Sequence, residues 1–288
     1  MGILTRWLEE WIKGLLVGGI MGNLGGLFDR VNDQVGEITV RVGMTPWAFN
    51  PGVFSLIQNL SETVVLPIAG LLLTFVMTWE LIQLIIDSNN LHQIDTLIFF
   101  KWLFKTMIAV LILSNTFNIV MGIFDVAQHV ISNAAGLISG STSITADMMD
   151  GLHTQLEAME VGSLLGLWLQ SFLVKTIVFA LDIVVFVIVY GRMIEIYLLT
   201  SLAPLPMASL TSRELGGMGQ NYIKSLLAVG FQGLLIMVCV GIYAVLVHSI
   251  AASGDPIGMI WQAIGYTVLL CFTLFKTGSI AKSIFASH

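Results

Sequence analysis

Long apolar runs separated by short polar stretches dominate the pattern of hydrophobic and polar positions along this chain. Five such runs, at about 63–86, 106–124, 176–191, 225–250 and 257–275, each contain at most one charged side chain. The hydrocarbon core of a bilayer, about 30 Å thick, is crossed by about 20 helical residues. The pattern therefore predicts an all-α integral membrane protein with about five transmembrane helices, with four or six spans as the alternatives.

The overall composition agrees with this class of protein. Of the 288 residues, 56% are hydrophobic and 10% are charged, and the mean hydropathy is +0.91. A soluble protein of this size needs a more polar surface to stay dispersed. Because no charged stretch is long enough for a soluble domain, we divide the chain into an N-terminal segment, 1–52, and a polytopic transmembrane domain, 53–288. The net charge of −6 argues against an exposed nucleic-acid-binding surface, although it leaves room for a pore.

The N-terminal segment begins with tryptophans interleaved with charges, as in helices that lie in the headgroup region of a membrane. Trp7 and Trp11 accompany Arg6 and Lys13 at largely helical spacing. We predict an amphipathic interfacial helix here, followed by a polar connector. A helix packed on neighbouring subunits is the alternative. Trp79, near the end of the first apolar run, is a third interfacial anchor, because tryptophan is enriched at membrane–water boundaries.

Lysine and arginine residues are unevenly distributed between the connections, and this asymmetry predicts the orientation of the spans. Basic side chains precede the second span, separate the third from the fourth and follow the fifth: Lys101, Lys105, Arg192, Arg213, Lys224, Lys276 and Lys282. No basic residue lies between Lys105 and Lys175, so the segment at about 125–172 is predicted to face outward. We therefore expect a multi-pass protein of the cytoplasmic membrane with its N-terminus outside and its C-terminus in the cytoplasm.

Four polar residues in or beside the apolar runs are candidates for a conduit lining or for contacts between helices. Asp182 is the one formal charge inside the third run, and a carboxylate there is costly unless it is paired, protonated or in a wet cavity. Lys175 lies seven residues earlier on nearly the same helical face, about 10 Å away, which is too far for a direct bond. Asn115 and Gln232 are predicted to hydrogen-bond between helices, with a lining role as the alternative.

A proline-containing stretch interrupts the apolar sequence after the third run. Ala203, Pro204 and Pro206 follow a helical stretch, and proline removes a backbone donor and breaks a helix. We predict a helix that ends at about residue 202 and a break at the inner face of the membrane. Just before this stretch, Arg192 and Glu195 are three residues apart, a spacing that predicts a local ion pair.

No constellation of residues typical of an enzyme occurs in the sequence. The five histidines are scattered, and there is neither a His-Glu-x-x-His pair nor a carboxylate cluster for a metal. The Gly-x-Ser-x-Gly turn of hydrolases and the phosphate-binding loop of ATPases are also missing. We expect a non-enzymatic protein without cofactors, and any ATP-driven work would need an external motor.

One part of the chain resembles a known family. Residues 187–210 read VIVYGRMIEIYLLTSLAPLPMASL, and a short basic turn then leads to the apolar run SLLAVGFQGLLIMVCVGIY. This arrangement resembles the core of TrbL-type polytopic inner-membrane subunits of type IV secretion systems, in which a span ends in an Ala-Pro-Leu break before a cytoplasmic turn and another span. Four further stretches are similar to the version carried by conjugative elements of Gram-positive bacteria: NLSETVVLPIAG, FDVAQHV, GRMIEIYL and YTVLLCFTLFKTGSIAKSI.

The resemblance implies a channel or scaffold subunit that helps to form the route for DNA–protein transfer across the cytoplasmic membrane. The implied partners are a cytoplasmic ATPase, a bitopic scaffold subunit, a cell-wall hydrolase, further copies of the chain, the bilayer and the DNA–protein substrate in transit. A small-molecule or ion transporter with a midplane site at Asp182 is the alternative. Against it, the two halves of the chain show neither an inverted repeat nor paired interrupted spans.

The predicted orientation can be tested with reporter fusions. A reporter placed in the loop at 141–151, or at Gly254, is expected to read as extracytoplasmic, whereas one at His288 or near Glu214 is expected to read as cytoplasmic. The reason is the lysine and arginine asymmetry between these segments. A cytoplasmic signal from the loop at 141–151 would contradict the five-span arrangement.

Overall fold

A computed structural model describes residues 2–87, 96–139, 146–251 and 256–287. The reporter positions at Gly254, at His288 and at 141–145 lie outside these residues. The described residues contain helices and no strand, which confirms the all-α class. The helices in chain order are α1 (Gly2–Val42), α2 (Pro46–Phe49), α3 (Pro51–Asn59), a π-helix (Leu60–Val65), α4 (Leu66–Asp87), α5 (Thr96–Ser114), α6 (Thr116–Ser139), α7 (Ala146–Glu157), α8 (Val161–Leu202), α9 (Pro204–Ser209), α10 (Gly216–Ala251) and α11 (Pro256–Ile284).

Within the described part of the chain, five helical stretches are long and apolar enough to cross a membrane, which is the number that the sequence predicted. They are Pro51–Ile86, Leu97–Ser114, Val161–Leu202, Gly216–Ile250 and Ile257–Ile284. The second stretch, Leu97–Ser114, differs from the predicted run at 106–124 at both ends. Lys105 lies inside the helix and forms an ion pair with Glu80 of α4, and the part of the run from Thr116 onward belongs to α6. The third extends past both Lys175 and Arg192, the charges that had limited the apolar run.

The N-terminal helix is longer than the sequence indicated. The polar connector that was expected to follow the interfacial helix is helical up to Val42, so both belong to α1. After a short turn, Thr45 caps α2 by accepting a hydrogen bond from the Ala48 amide. The side chain of Asn50 caps α3 in the same way, by accepting a hydrogen bond from the Val53 amide. Such side-chain acceptors satisfy amides that have no partner within the first helical turn, so these caps explain where the two helices begin.

The residues form two compact units, and the first comprises Met1–Gly43, Ile131–Tyr190 and Leu234–Thr277. Its core contains fully buried side chains from α1, α7 and α8, among them Ile20, Leu156 and Leu164. α1 approaches α8 closely at Gly19, where an added Cβ would lie 2.6 Å from the indole nitrogen of Trp168. Within the same unit, the hydroxyl groups of Tyr243 in α10 and Thr267 in α11 are hydrogen-bonded at 2.8 Å.

The second unit comprises Met44–Val130, Gly191–Gly233 and Gly278–His288, and α4 and α5 form an antiparallel hairpin within it. Ala69 and Met77 of α4 form an apolar cluster with Ala109 and Leu113 of α5, and Ala208 of α9 belongs to the same cluster. Ser114 lies at one end of this hairpin. Towards the opposite end, the indole N–H of Trp102 donates to the carbonyl of Met77 at 3.1 Å. The Lys105–Glu80 ion pair lies on the neighbouring turn.

Arg192 is buried in the second unit and bonds to the backbone of another helix. Its Nε and Nη2 donate to the carbonyls of Val229 and Gly230 in α10, both at 3.0 Å. Glu195 forms its ion pair with Lys282 of α11, at 3.0 Å. Arg192 therefore joins α8 to α10 and Glu195 joins α8 to α11, whereas their spacing predicted a local ion pair between them. A second core cluster of this unit includes Val229, whose carbonyl accepts from Arg192, and contains Val120, Phe124, Met193, Ile196, Tyr197, Ala203, Leu226 and Val229.

The proline stretch interrupts the helix at the predicted position without ending the helical path. α8 ends at Leu202, and Ala203 keeps helical dihedral angles, φ −49° and ψ −41°. Pro204 and Pro206 cannot donate to the preceding turn, but the amide of Met207 still donates to Ala203 at 3.2 Å. α9 then packs along α4. The following turn brings Glu214 within 2.5 Å of Gln83, so this turn, rather than the break, lies at the Glu80 end of the hairpin.

The close approach of α10 to α9 generates a stability prediction. A Cβ at Gly219 would lie 2.8 Å from both Leu210 Cα and the Pro206 carbonyl, so Gly219→Ala must displace backbone. We expect this variant to unfold at a lower temperature in detergent, because overpacking lowers the free energy of unfolding by about 1–3 kcal/mol. Gly217→Ala is the matched control, because its Cβ would meet no atom within 4 Å. Equal unfolding temperatures for the two variants would contradict the close packing.

Candidate functional site: a polar groove between α1 and α8

Polar side chains follow one face of α1 in the first unit. Asn23, Arg30 and Glu37 are spaced seven residues apart, and Arg41 lies one turn further on. Because residues four and seven apart share a helical face, these four side chains form a continuous polar stripe. The regularly spaced charges of this stripe explain why α1, despite its length, is not among the five candidate spans.

A matching polar stripe on α8 faces the stripe on α1. Three cross-helix contacts join them: Asn23 Nδ2 donates to Ser171 Oγ at 2.9 Å, Arg30 Nη1 lies 3.8 Å from Asp182 Oδ2, and Arg41 Nη1 donates to Tyr190 Oη at 2.7 Å. The residue numbers rise together along both helices, so α1 and α8 run parallel here. The two helices thereby enclose a groove in which polar and charged side chains lie among apolar ones.

Two adjoining cavities form this groove and share Arg30 and Asp182. One, of about 250 Å³, also contains Asn23 and Lys175. The other, of about 410 Å³, continues towards Tyr190 and is lined by Arg30, Asp33, Glu37, Ile38, Arg41, Asp182, Ile183, Val185, Phe186, Val189 and Tyr190. The groove therefore offers fixed charges of both signs along one helical pair.

The charged side chains of the groove remain partly exposed to solvent, and this exposure limits how much their ion pair stabilises the fold. The Asp182 side chain is 29% exposed and that of Arg30 is 62% exposed. At 3.8 Å and with this exposure, the pair contributes at most about 1 kcal/mol, because solvent screens it. Arg30 and Asp182 are thus better suited to lining a wet groove than to holding the two helices together.

Arg41 closes one end of the groove and makes the shortest contacts. Its Nε donates to Glu37 at 2.8 Å, and its guanidinium carbon lies 5.6 Å from the centre of the Tyr190 ring. Burial by itself would lower the pKa of Arg41, but the hydrogen bond to Glu37 and the nearby Tyr190 and Glu37 raise this pKa above its usual value. Arg41 is therefore a permanent cation at any physiological pH.

The structure brings together two of the residues that the sequence singled out, Lys175 and Asp182, in one cavity. It also supplies partners that the sequence reasoning missed, namely Arg30 and Arg41. The seven-residue spacing of polar side chains in α1 was a signal that could have identified them. The described residues contain no group of three or more His, Cys, Asp or Glu side chains that could hold a metal ion.

The remaining predicted residues lie elsewhere. Asn115 lies between α5 and α6, and its side-chain amide donates to the carbonyl of Leu111 in α5 at 2.9 Å. Gln232 is 8% exposed and lies against α11, since a Cβ at Gly278 would be 3.3 Å from its Nε2. Ala203, Pro204 and Pro206 belong to the second unit. Three tryptophans expose large parts of their indole groups, as anchors in the headgroup region would: Trp7, Trp11 and Trp79.

Comparison with known proteins identifies a family. The family described as TrbL/VirB6 plasmid conjugal transfer like protein matches residues 31–204, which is more than half of the chain. The match includes α8 with its polar stripe and the last part of α1. Neither a curated protein nor a solved structure shows a significant match. The family match confirms the resemblance that the sequence motifs indicated.

The groove predicts how substitutions of Asp182 behave. Asp182→Asn keeps the size and hydrogen bonding of the side chain, so we expect its unfolding temperature and its recovery in detergent to match those of the parent. Asp182→Leu removes the polar partner of Arg30 and should lower both slightly, since the pair contributes at most about 1 kcal/mol. A double-mutant cycle with Arg30→Gln should give a coupling energy below about 1 kcal/mol. If Asp182→Asn is as harmful as Asp182→Leu, the charge itself is essential and this contact model is wrong.

Proposed function

The chain belongs to the TrbL/VirB6 plasmid conjugal transfer like family, and we propose that it is a non-enzymatic channel or scaffold subunit of a conjugative type IV secretion system. As a member of this family with five apolar helices, it is a multi-pass membrane component of a conjugal transfer apparatus. The finer proposal is that it helps to form the route by which DNA and attached protein cross the cytoplasmic membrane.

The two-faced character of α8 is the observation that carries this proposal. Ser171, Lys175 and Asp182 lie on the face towards α1, whereas Leu169 and Leu173 lie on the opposite face and are largely exposed. A helix with one polar and one apolar side suits the boundary between an aqueous passage and lipid or protein. The mixed charges of the groove also suit a passage for a large, chemically varied substrate better than a site for one small solute.

The length of the apolar face of α8 supports assembly with other proteins. Exposed large hydrophobic side chains occur from Leu165 to Leu202, a path of about 56 Å along the helix at 1.5 Å per residue. The hydrocarbon core of a bilayer is only about 30 Å thick. Lipid therefore covers part of this face, and we propose that other subunits cover the rest. Further copies of the chain, a cytoplasmic ATPase, a bitopic scaffold subunit and a cell-wall hydrolase are the proposed partners.

The proposed orientation places the N-terminus outside and the C-terminus in the cytoplasm. In this arrangement the Glu80 end of the α4–α5 hairpin faces the cytoplasm, and so does the turn that carries Glu214. The Pro204 break then has a positioning role, since α9 follows it and leads along α4 to that turn. We further propose that Trp7 and Trp11 anchor the start of α1 in the headgroup region.

The ion-transporter alternative places a titrating carboxylate at Asp182. Arg30 lies 3.8 Å from this carboxylate, so the groove carries two opposite charges side by side rather than a lone acid. A lining role for the groove requires no change of protonation during transfer. Charge in the groove should then affect the passage of substrate without affecting assembly.

The proposal is tested by purification and by transfer measured in the same strains. We expect the tagged chain, extracted in mild detergent, to copurify with a secretion ATPase, and deletion of its gene to abolish transfer until the gene is restored. Lys175→Glu reverses one groove charge and should lower the transfer frequency at least about tenfold, corresponding to 1.4 kcal/mol in the limiting step, with partner recovery unchanged. Leu169→Ala, on the opposite face, is the control.

Two outcomes would contradict the proposal. Purification of the chain as a solitary dimer with a bound solute would favour a transporter. Normal transfer by the Lys175→Glu variant would remove the groove from the substrate route, leaving only a scaffold role.

A further inference from the structure

The places where the helices of the second unit lose their regularity meet at one cavity of about 320 Å³. The π-helix contributes Ser61 and Glu62, the junction of α5 and α6 contributes Ser114, Thr116 and Asn118, and the start of α9 contributes Pro204. Interrupted helices at membrane depth are tolerated where protein or a water-filled cavity covers the backbone. In transporters, such interruptions form the sites for substrates and ions.

The buried hydroxyl of Ser61 is the observation that indicates a ligand in this cavity. The residue is 1% exposed, and its Oγ has no hydrogen-bond partner among the residues that the structure describes. A buried hydroxyl without a partner costs free energy, and single π-helical turns are frequent at functional sites. Ser61 lies in such a turn, at Leu60–Val65, and is one of the residues that line the cavity.

The hydroxyl and carboxylate groups of the cavity present acceptors, and the Asn118 amide has an acceptor oxygen beside its N–H donors. The hydroxyl groups of Ser114 and Thr116 each donate their one hydrogen to a carbonyl of the preceding helical turn, at 2.9 and 3.0 Å. The Thr116 hydroxyl therefore keeps its lone pairs for the cavity, whereas the Ser114 hydroxyl also accepts from Asn115 Nδ2 at 3.4 Å and keeps one. Glu62, which receives a hydrogen bond from Gln58 at 3.0 Å, is an acceptor when ionised. Pro204 has no N–H to donate.

We propose that this cavity is a binding site for one monovalent cation, sodium. Glu62 is the one charged residue that lines it, so a single positive charge balances the site. Calcium sites in proteins usually combine several carboxylates, and magnesium demands octahedral geometry with retained waters. Hydroxyl, amide and carboxylate oxygens are the ligands that hard cations prefer. The inference is independent of the role in conjugation, because a bound cation could stabilise the interrupted helices in any membrane component.

The test uses the full chain purified in detergent. At constant ionic strength, replacing N-methylglucamine chloride by sodium chloride should raise the unfolding temperature, because a ligand that binds the folded state stabilises it. Radioactive sodium should bind saturably, at one ion per chain. Ser61→Ala and Glu62→Gln should each abolish the saturable binding and the dependence on sodium.

Ser55→Ala is the matched control for the loss of a hydroxyl on the same helical stretch. Ser55 is exposed, and its hydroxyl donates to the carbonyl of Pro51 at 2.9 Å, so this variant should keep the full sodium effect. The proposal is overturned if the parent protein shows neither saturable sodium binding nor a sodium-dependent unfolding temperature. It is equally overturned if Ser61→Ala raises the unfolding temperature by the same amount in both salts, since the hydroxyl is then simply unsatisfied.

Discussion

The cost of leaving a backbone amide or carbonyl without a partner in hydrocarbon is the constraint on which this structure depends. Helices satisfy these groups locally, so the described residues are almost entirely helical and α8 runs for 42 residues. Irregular backbone is then acceptable only where other polar groups are close. In the second unit the π-helix, the α5–α6 junction and the start of α9 share one polar cavity, as this constraint requires.

Side-chain polarity follows the same rule, since buried charges are joined to specific partners on other helices. Arg192 bonds to two carbonyls of α10, and Glu80 pairs with Lys105 across the α4–α5 hairpin. Such contacts add little net stability, because desolvation offsets much of the attraction. Breaking one, however, leaves an uncompensated charge. Their consequence is a preferred register between α8 and α10 and between α4 and α5, which apolar packing alone specifies weakly.

The two polar regions have different chemistry and suit different tasks. The groove of the first unit carries fixed charges of both signs, from Arg30 to Arg41, and is open enough for water. The cavity of the second unit contains one carboxylate and several neutral oxygens. A large substrate needs a surface with varied charges and no tight site, whereas a small cation needs a few acceptors held by rigid helices. The proposed passage and the proposed cation site are therefore compatible within one membrane component.

The sequence alone determined the class of the protein, its five apolar helices, its proline break and its family. These features depend on local composition and short motifs, because about 20 apolar residues suffice for a span and proline acts on its own helix. The tertiary structure decided the boundaries and the sites. Lys105 looked like the flank of a span until Glu80 was found beside it, and Asp182 had no partner until α1 placed Arg30 opposite. Periodicity shows which residues share a face of one helix, but only packing shows which face of another helix they meet.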